Sequence, residues 1–259
     1  MIQYENLFSL EGKCALIPGG TGGLGGAIAY AFLQQKADVI VCGGHPEKAQ
    51  DLADYAKSLG RKFLSLKCNI TDINDVTSML DIISEHFNHI DILVNSAGMN
   101  KLLAAEEYDD ETFSKVMSLN IHGLHTLTRE VGKRWMIPQK YGRIINLSSV
   151  KSFIGTTENY IAYCASKGAV NMYTKQLACE WGKYNITCNA IAPTFVRTAI
   201  NAFQLDDPVF YKKLTDRIPL GRIGQGQDIA SAALFLASDA AAFVSGQILG
   251  VDGGLTAMQ

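Results

Sequence analysis

Nowhere in the 259-residue chain does an uncharged apolar run approach the roughly 20 residues that a membrane-crossing helix needs, so no span is expected. Charge of one sign is not in excess either. The 23 Lys and Arg stand against 25 Asp and Glu, a formal net charge of −2, which leaves no electrostatic case for nucleic acid or an anionic membrane surface as a partner. The opening stretch MIQYENLFSLEGK has no basic start followed by an apolar core, so no secretory leader is expected and a cytoplasmic location is. Close cysteine pairs are missing: Cys14, Cys42, Cys68, Cys164, Cys179 and Cys188 stand singly in apolar segments. That spacing suits neither a metal site nor a secreted disulfide scaffold. They are read as reduced packing residues, and no metal is expected. Repeats, low-complexity tracts and linkers are lacking too, so residues 1–259 are expected to form a single domain.

What the chain does have is alternation. Apolar runs of about four to six residues recur at Cys14–Ile17, Val39–Cys42, Phe63–Leu66, Ile92–Val94, Arg143–Leu147, Thr187–Ile191 and Gln247–Val251, and most read as strands buried on both faces. Between them lie segments with helical spacing at Ala27–Gln35, Glu47–Leu59, Asp72–Phe87, Leu119–Met136 and Tyr163–Trp181. Asp72 is placed to cap the third of these, and Pro46 suits a first helical turn. Repeated strand, helix, strand units with short connections imply right-handed crossovers. The expected fold is therefore α/β, a doubly wound parallel sheet of Rossmann type with about seven strands and helices on both faces.

In such sheets ligands bind beyond the carboxyl ends of the strands. There, after the first strand, six glycines fill the eight positions 19–26. Gly19, Gly23 and Gly25 suit a turn with unusual backbone angles, close approach to a pyrophosphate and tight contact between helix and strand. The amides that open the following helix would face the anion.

The spacing Gly19-x3-Gly23-x-Gly25 resembles that of the short-chain dehydrogenase/reductase family. Further landmarks follow in that family's order: Asn95-Ser-Ala-Gly98, Asn120 within Leu119-Asn-Ile121, the serines of Ile144-Ile-Asn-Leu-Ser-Ser149, the Tyr163-x3-Lys167 pair, and Val251-Asp-Gly-Gly254. The resemblance thus runs from Gly19 to Gly254. It implies an NAD(P)-dependent oxidoreductase with Asn120, Ser149, Tyr163 and Lys167 as catalytic residues. It also implies cofactor contacts from Gly19, Thr21, Gly22, Gly23, Leu24 and Gly25 in the first loop, Gly44 and His45 after the second strand, and Asn69 and Ile70 after the third. Asn95, Ala97 and Gly98 follow the fourth strand, Tyr163 and Lys167 touch the nicotinamide half, and Pro193, Val196 and Thr198 complete the set.

Elementary electrostatics supports the central pair. Residues 163 and 167 are four apart, on one helix face. Lowering a phenol from pKa ~10 to ~7 takes roughly 4 kcal/mol, about what one cation ~4 Å away supplies at an effective dielectric near 20. Lys167, with help from an oxidised nicotinamide, is therefore expected to make Tyr163 a proton acceptor near neutral pH. By the resemblance, Lys167 also bonds the nicotinamide ribose and Asn120 holds a water leading to it. Ser149 would hydrogen-bond the substrate oxygen. It lies 14 residues before Tyr163 where the family usually shows 13, so Ser148 stands as the alternative.

Three positions depart from the family's pattern. Pro18 stands where a threonine is usual and lacks a backbone donor, which predicts an altered anchor between the first and fourth strands. Asn69 replaces an aspartate, and Thr194 replaces a glycine. Cofactor choice is read from Cys42-Gly43-Gly44-His45-Pro46, which offers neither the carboxylate that favours NAD nor the arginine that favours NADP. With His45 and Lys48 near enough to meet a phosphate, the balance tips slightly to NADP.

Residues 194–219 are read as a lid on the substrate side. The stretches Leu59–Leu66, Gly98–Lys101 and Arg217–Arg222 are similar to gluconate 5-dehydrogenases and 2-deoxygluconate 3-dehydrogenases of the family. The expected reaction is hydride transfer on a secondary alcohol or ketone of a small sugar, polyol or sugar acid. Lys151, Asn100, Lys101, Glu158, Asn159 and Arg197 are candidate rim groups, with Lys151 or Arg197 facing a substrate carboxylate. A reductase for a ketoacyl thioester or cyclic ketone, and a non-catalytic nucleotide-binding protein, are the alternatives. By resemblance a homotetramer is expected, paired through Leu119–Met136, Tyr163–Trp181 and the last strand.

Overall fold

The computed structural model describes residues 6–198 and 201–258, with Gln204 described for its backbone alone. Residues 1–5, part of the stretch searched for a leader, and positions 199 and 200 of the lid segment lie outside the described residues. Seven strands form one sheet: β1 (Cys14–Pro18), β2 (Asp38–Gly43), β3 (Phe63–Lys67), β4 (Ile92–Asn95), β5 (Gly142–Leu147), β6 (Ile186–Pro193) and β7 (Ile248–Val251). Their order is β3-β2-β1-β4-β5-β6-β7, and every pairing is parallel. The order reverses between β1 and β4, and there the fold opens a crevice for a ligand.

The connecting helices are α1 (Gly23–Gln34), α2 (Gln50–Ser58), α3 (Ile73–His86), α4 (Asp110–Met117), α5 (Leu124–Val131), α6 (Ile137–Gln139), α7 (Ile161–Trp181), α8 (Ala202–Leu205), α9 (Pro208–Thr215) and α10 (Gly226–Ala237). Strand alternation divides the core into two layers. Ile17, Val39, Ile145 and Leu147 pack with Ile28 and Phe32 of α1 and Ile229 and Leu236 of α10. Leu16, Ile40, Leu93 and Ile144 pack with Leu80 and Ile83 of α3, Leu127 of α5 and Leu177 of α7. Asp72 caps α3 as expected, its carboxylate accepting from Asn74 N at 2.8 Å, and Pro46 opens a one-turn 3-10 helix ahead of α2.

Two boundaries differ from the sequence reading. Helix α1 begins at Gly23 rather than near Ala27, because the glycines themselves form its first turn. The long helix expected over Leu119–Met136 carries wider π turns at Ser118–Gly123 and Gly132–Met136. Apolar periodicity does not announce such a bulge, which recurs at functional sites. Asn120 sits in the first of them.

Candidate active site

The site assembles where β1, β4, β5 and β6 end. Gly19 has φ +75°, a backbone that side chains rarely adopt, and a Cβ there would come within 3.0 Å of the Ala97 backbone. A Cβ on Gly25 would reach the Gly19 carbonyl at 2.5 Å and crowd the Ser96 hydroxyl. The loop, the start of α1 and the end of β4 therefore interlock through bare backbone. At the open end of α1 the neighbouring Gly22 and Gly23 would meet nothing. No side chain caps this helix and its first turn holds no acid, so its amides are free for an anionic partner. The loop thus fits the pyrophosphate of a dinucleotide, with Thr21 and Leu24 beside the same amides. Leu24 also lines the neighbouring cavity.

Pro18 is accommodated as expected of an altered anchor: its carbonyl accepts from Ser96 Oγ at 2.5 Å, and Gly19 N, one residue on, donates to Cys42 O at 2.7 Å. At the end of β2, Gly44 is exposed with open space where a side chain would stand. His45, also exposed, pairs through Nδ1 with Glu47 at 3.1 Å. An acid is therefore present after all, four residues past the end of β2, and it is turned onto His45. A cation the sequence reading missed is Lys67, which the β2–β3 register sets beside Gly43. Strand pairing is what brings it there, and the linear sequence does not show pairing.

Other assigned positions divide. Asn69 uses Oδ1 on Thr71, accepting from its amide at 3.2 Å and its hydroxyl at 2.8 Å, and so shapes the turn into α3. The Ile70 side chain is buried in the core, so any contact it makes with a cofactor comes from its backbone. The Asn95 side chain turns inward. Its Nδ2 donates to Asn146 Oδ1 at 2.8 Å and Thr128 Oγ1 at 3.0 Å, tying β4 to β5 and α5 in the interior. Its Oδ1 stays buried without a partner among the described residues, so any contact Asn95 makes with a cofactor comes, as for Ile70, from its backbone. Pro193 ends β6. Val196 and Thr198 line the cavity, and the loop is fastened by Asn201, which accepts from Thr198 N and donates to Val196 O.

The four residues assigned to chemistry do converge. Asn120 Oδ1 accepts from Met99 N at 2.8 Å, while its Nδ2 donates to Met99 O and to Ser166 Oγ, each at 2.9 Å. A Cβ on Gly98 would lie 3.2 Å from Asn120 Oδ1 and 3.6 Å from Lys167 Nζ, so these two side chains and Gly98 share one spot. Lys167 is buried and donates from Nζ to Leu147 O at 2.6 Å. Its Nζ stands 5.5 Å from the centre of the Tyr163 ring.

Just past the end of β5, Ser148 and Ser149 turn to opposite sides of a backbone that is still extended at Ser149. Ser148 Oγ points to α7 and donates to Asn171 Oδ1 at 2.6 Å, whereas Ser149 lines a cavity of about 300 Å³ together with Tyr163. This selects Ser149 over Ser148 as the residue facing a substrate. Ser149→Ala is expected to lower kcat roughly 100-fold. Ser148→Ala is expected instead to cost about 1–2 kcal/mol of stability in urea unfolding, with kcat within a few-fold of the parent.

Tyr163 departs from the electrostatic expectation. Burial pushes its phenol above the usual value, and hydrogen bonding with Ser149 offsets only part of that. Lys167, engaged with Leu147, is itself lowered to about 8 by burial. The protein alone thus holds Tyr163 protonated at neutral pH, and a low phenol pKa requires cationic charge from outside these side chains.

Of the rim groups, Lys151 and Asn100 line the cavity, as does Arg217, which was not foreseen as a rim group. Lys101 and Asn159 are exposed and lie outside its lining. Arg197 pairs with Asp206 at 2.9 Å and lines a separate pocket. It is therefore removed as a partner for a substrate carboxylate.

The family profile described as enoyl-(acyl carrier protein) reductase matches residues 19–256. A 2-dehydro-3-deoxy-D-gluconate 5-dehydrogenase of Dickeya dadantii is 36% identical over 96% of this chain and 97% of its own. A galactitol 2-dehydrogenase (L-tagatose-forming) of Cereibacter sphaeroides is 37% identical over 98% and 99%. The crystal structure of a gluconate 5-dehydrogenase from Burkholderia cenocepacia, in complex with NADP and tartrate, superposes with a TM-score of 0.91 at 33% identity, covering 98% of this chain and 99% of that one. With the ordered motifs, the sheet order and these likenesses together, the chain belongs to the short-chain dehydrogenase/reductase family.

Proposed function

We propose that the protein interconverts a secondary alcohol and a ketone on a small sugar, polyol or sugar acid, with NADP rather than NAD as hydride carrier. One observation carries the reading: Ser149 and Tyr163 share a cavity of about 300 Å³, with Lys167 and Asn120 directly behind at Gly98. When bound, the nicotinamide supplies or accepts the hydride.

The chain's own groups handle the proton and the substrate oxygen. Tyr163 Oη donates its proton to the ketone oxygen in reduction and takes it from the hydroxyl in oxidation. Ser149 Oγ hydrogen-bonds that same oxygen and steadies the charge developing on it. Lys167 binds the nicotinamide ribose and so places the cofactor's own charge beside Tyr163. Asn120, held in its π turn by Met99 and Ser166, keeps the path from Lys167 to solvent. Gly19, Thr21, Gly22, Gly23, Leu24 and Gly25 hold the pyrophosphate, and Asn69 and the Ile70 backbone meet the adenine. Ala97, Gly98, Pro193, Val196 and Thr198 frame the nicotinamide. Preference for NADP is supported by the bare Gly43-Gly44 corner with Lys67 in register beside it, Lys48 and His45 nearby, and the NADP complex of the Burkholderia relative.

The working form is read as one domain with residues 194–219 as lid, assembled as a cytoplasmic homotetramer. Phe243, wholly exposed next to the edge strand β7, and Met172, 62% exposed on α7, support pairing through those elements. Leu234, Phe235 and Val244 pack against the core instead. Sedimentation equilibrium giving a monomer would remove that part. The catalytic reading is tested by following NADPH and NADH absorbance separately with ketoses, polyols and sugar acids. Turnover of at least one with NADP is expected, and no turnover with either nucleotide overturns it.

A further inference from the structure

Lys151 presents an arrangement that hydride transfer itself does not need. It lies two residues past Ser149 in a 3-10 turn, where its backbone N donates to Ser149 Oγ at 3.2 Å. Its side chain is only 10% exposed, with Nζ 4.5 Å above the centre of the Tyr160 ring and 3.6 Å from Glu158 Oε2. That separation is too long for a hydrogen bond, and among the described residues the ammonium donates none. Nearly buried cations ordinarily fill their donors.

Glu158 divides itself between this ammonium and the half-exposed guanidinium of Arg217. Its other oxygen, Oε1, lies 3.7 Å from Arg217 NH1, again beyond hydrogen-bond length. Lys151 and Arg217 both line the cavity that holds Ser149 and Tyr163, whereas Glu158 does not. The cations line the cavity, and the carboxylate, itself 39% exposed, stands off that lining. Two positive charges and one negative leave an excess of one at the cavity wall, with unfilled donors on both cations. A single carboxylate on the substrate would match that excess and complete those bonds.

We propose that Lys151 and Arg217 form a carboxylate subsite of the substrate cavity, set by Glu158 beside them, and that this chain selects sugar acids over neutral sugars and polyols. The inference rests on the dehydrogenase reading above. Asn100 and the acceptor side of the Thr198 hydroxyl on the same lining supply neutral partners for hydroxyls. The Tyr160 face holds the Lys151 ammonium in place, so little side-chain freedom is lost when the acid arrives.

The test compares D-gluconate with D-sorbitol, which has the same carbon chain with the carboxylate replaced by a hydroxymethyl group. The readout is the ratio of their kcat/KM values, in which general damage to the fold cancels. In the wild-type protein the ratio is expected to favour gluconate at least tenfold. Lys151→Met and Arg217→Met are each expected to lower it roughly tenfold to hundredfold, the range for one lost charge-assisted hydrogen bond, mainly through the KM for gluconate. Lys151→Arg should restore part of the preference. Glu158→Gln should move the other way, lowering the KM for gluconate several-fold, because the competing carboxylate is gone. A ratio that survives both Met variants, or a wild-type protein that uses sorbitol as well as gluconate, overturns the inference and leaves the dehydrogenase reading standing. No turnover of any sugar, polyol or sugar acid overturns both.

Discussion

Tyr163→Phe is expected to lower kcat by about 10³-fold while the fold and nucleotide binding persist. The substitution removes one oxygen. The ring keeps its place on α7 and its packing against Tyr160, 6.1 Å away between centroids, and no backbone hydrogen bond is touched. What disappears is the group that passes a proton to or from the substrate oxygen, and positioned proton transfer is worth roughly 10²- to 10⁴-fold. The upper half of that range applies because the pocket offers no substitute within reach. Ser149 is a hydroxyl with no base beside it, and burial lowers the pKa of Lys167 while its ammonium is turned onto Leu147 O. Steady-state rates together with quenching of protein fluorescence by NADP check both halves of the expectation. A kcat within tenfold of the parent, or lost nucleotide binding, would contradict the role given to the phenol.

Much of the fold was legible because its signals are local. Buried parallel strands read as apolar runs such as Val39–Cys42, and the glycine loop between two such elements leaves few alternatives. The Tyr163 and Lys167 spacing puts both on one helical face. What escaped the sequence depended on where a side chain turns once its neighbours are in place. Asn95 is placed at the crevice by its motif's resemblance to the family's, and the motif does not show that Asn146 and Thr128 hold its side-chain amide inside. Arg197 and Arg217 are equally plausible by position. Asp206 claims the first, while the second leans onto Glu158 at the cavity. Ser148 and Ser149 differ only by the side to which each turns past β5, which a one-residue insertion hides until β5 is paired. The share of Lys167 in the phenol pKa escapes the sequence for a related reason. A distance of about 4 Å to Lys167 was assumed from spacing, whereas the ammonium is anchored to the Leu147 carbonyl and burial dominates.

That anchoring gives Lys167 a measurable cost as well as a function. Lys167→Met is expected to lower kcat/KM about 10³-fold, since it removes the donor proposed for the nicotinamide ribose and with it the placement of the cofactor's own charge beside Tyr163. The same variant carries a signature in stability that reports the burial of this charge. Burial brings the ammonium from 10.5 down to about 8, so between those values the folded chain binds fewer protons than the unfolded one. Stability then rises with pH across that window. Below about pH 8 the lysine is charged in both states, and the folded state bears the full burial penalty. Above about pH 10.5 it is neutral in both states and the penalty is gone. Wild-type unfolding free energy should therefore gain about 3 kcal/mol on the variant between pH 8 and 10.5. The lost bond to Leu147 O shifts the variant by a similar amount at every pH and cancels in the comparison. Urea unfolding of both proteins at a series of pH values reads the difference directly. Parallel curves for the two proteins would mean that Lys167 does not carry its charge into the interior on folding.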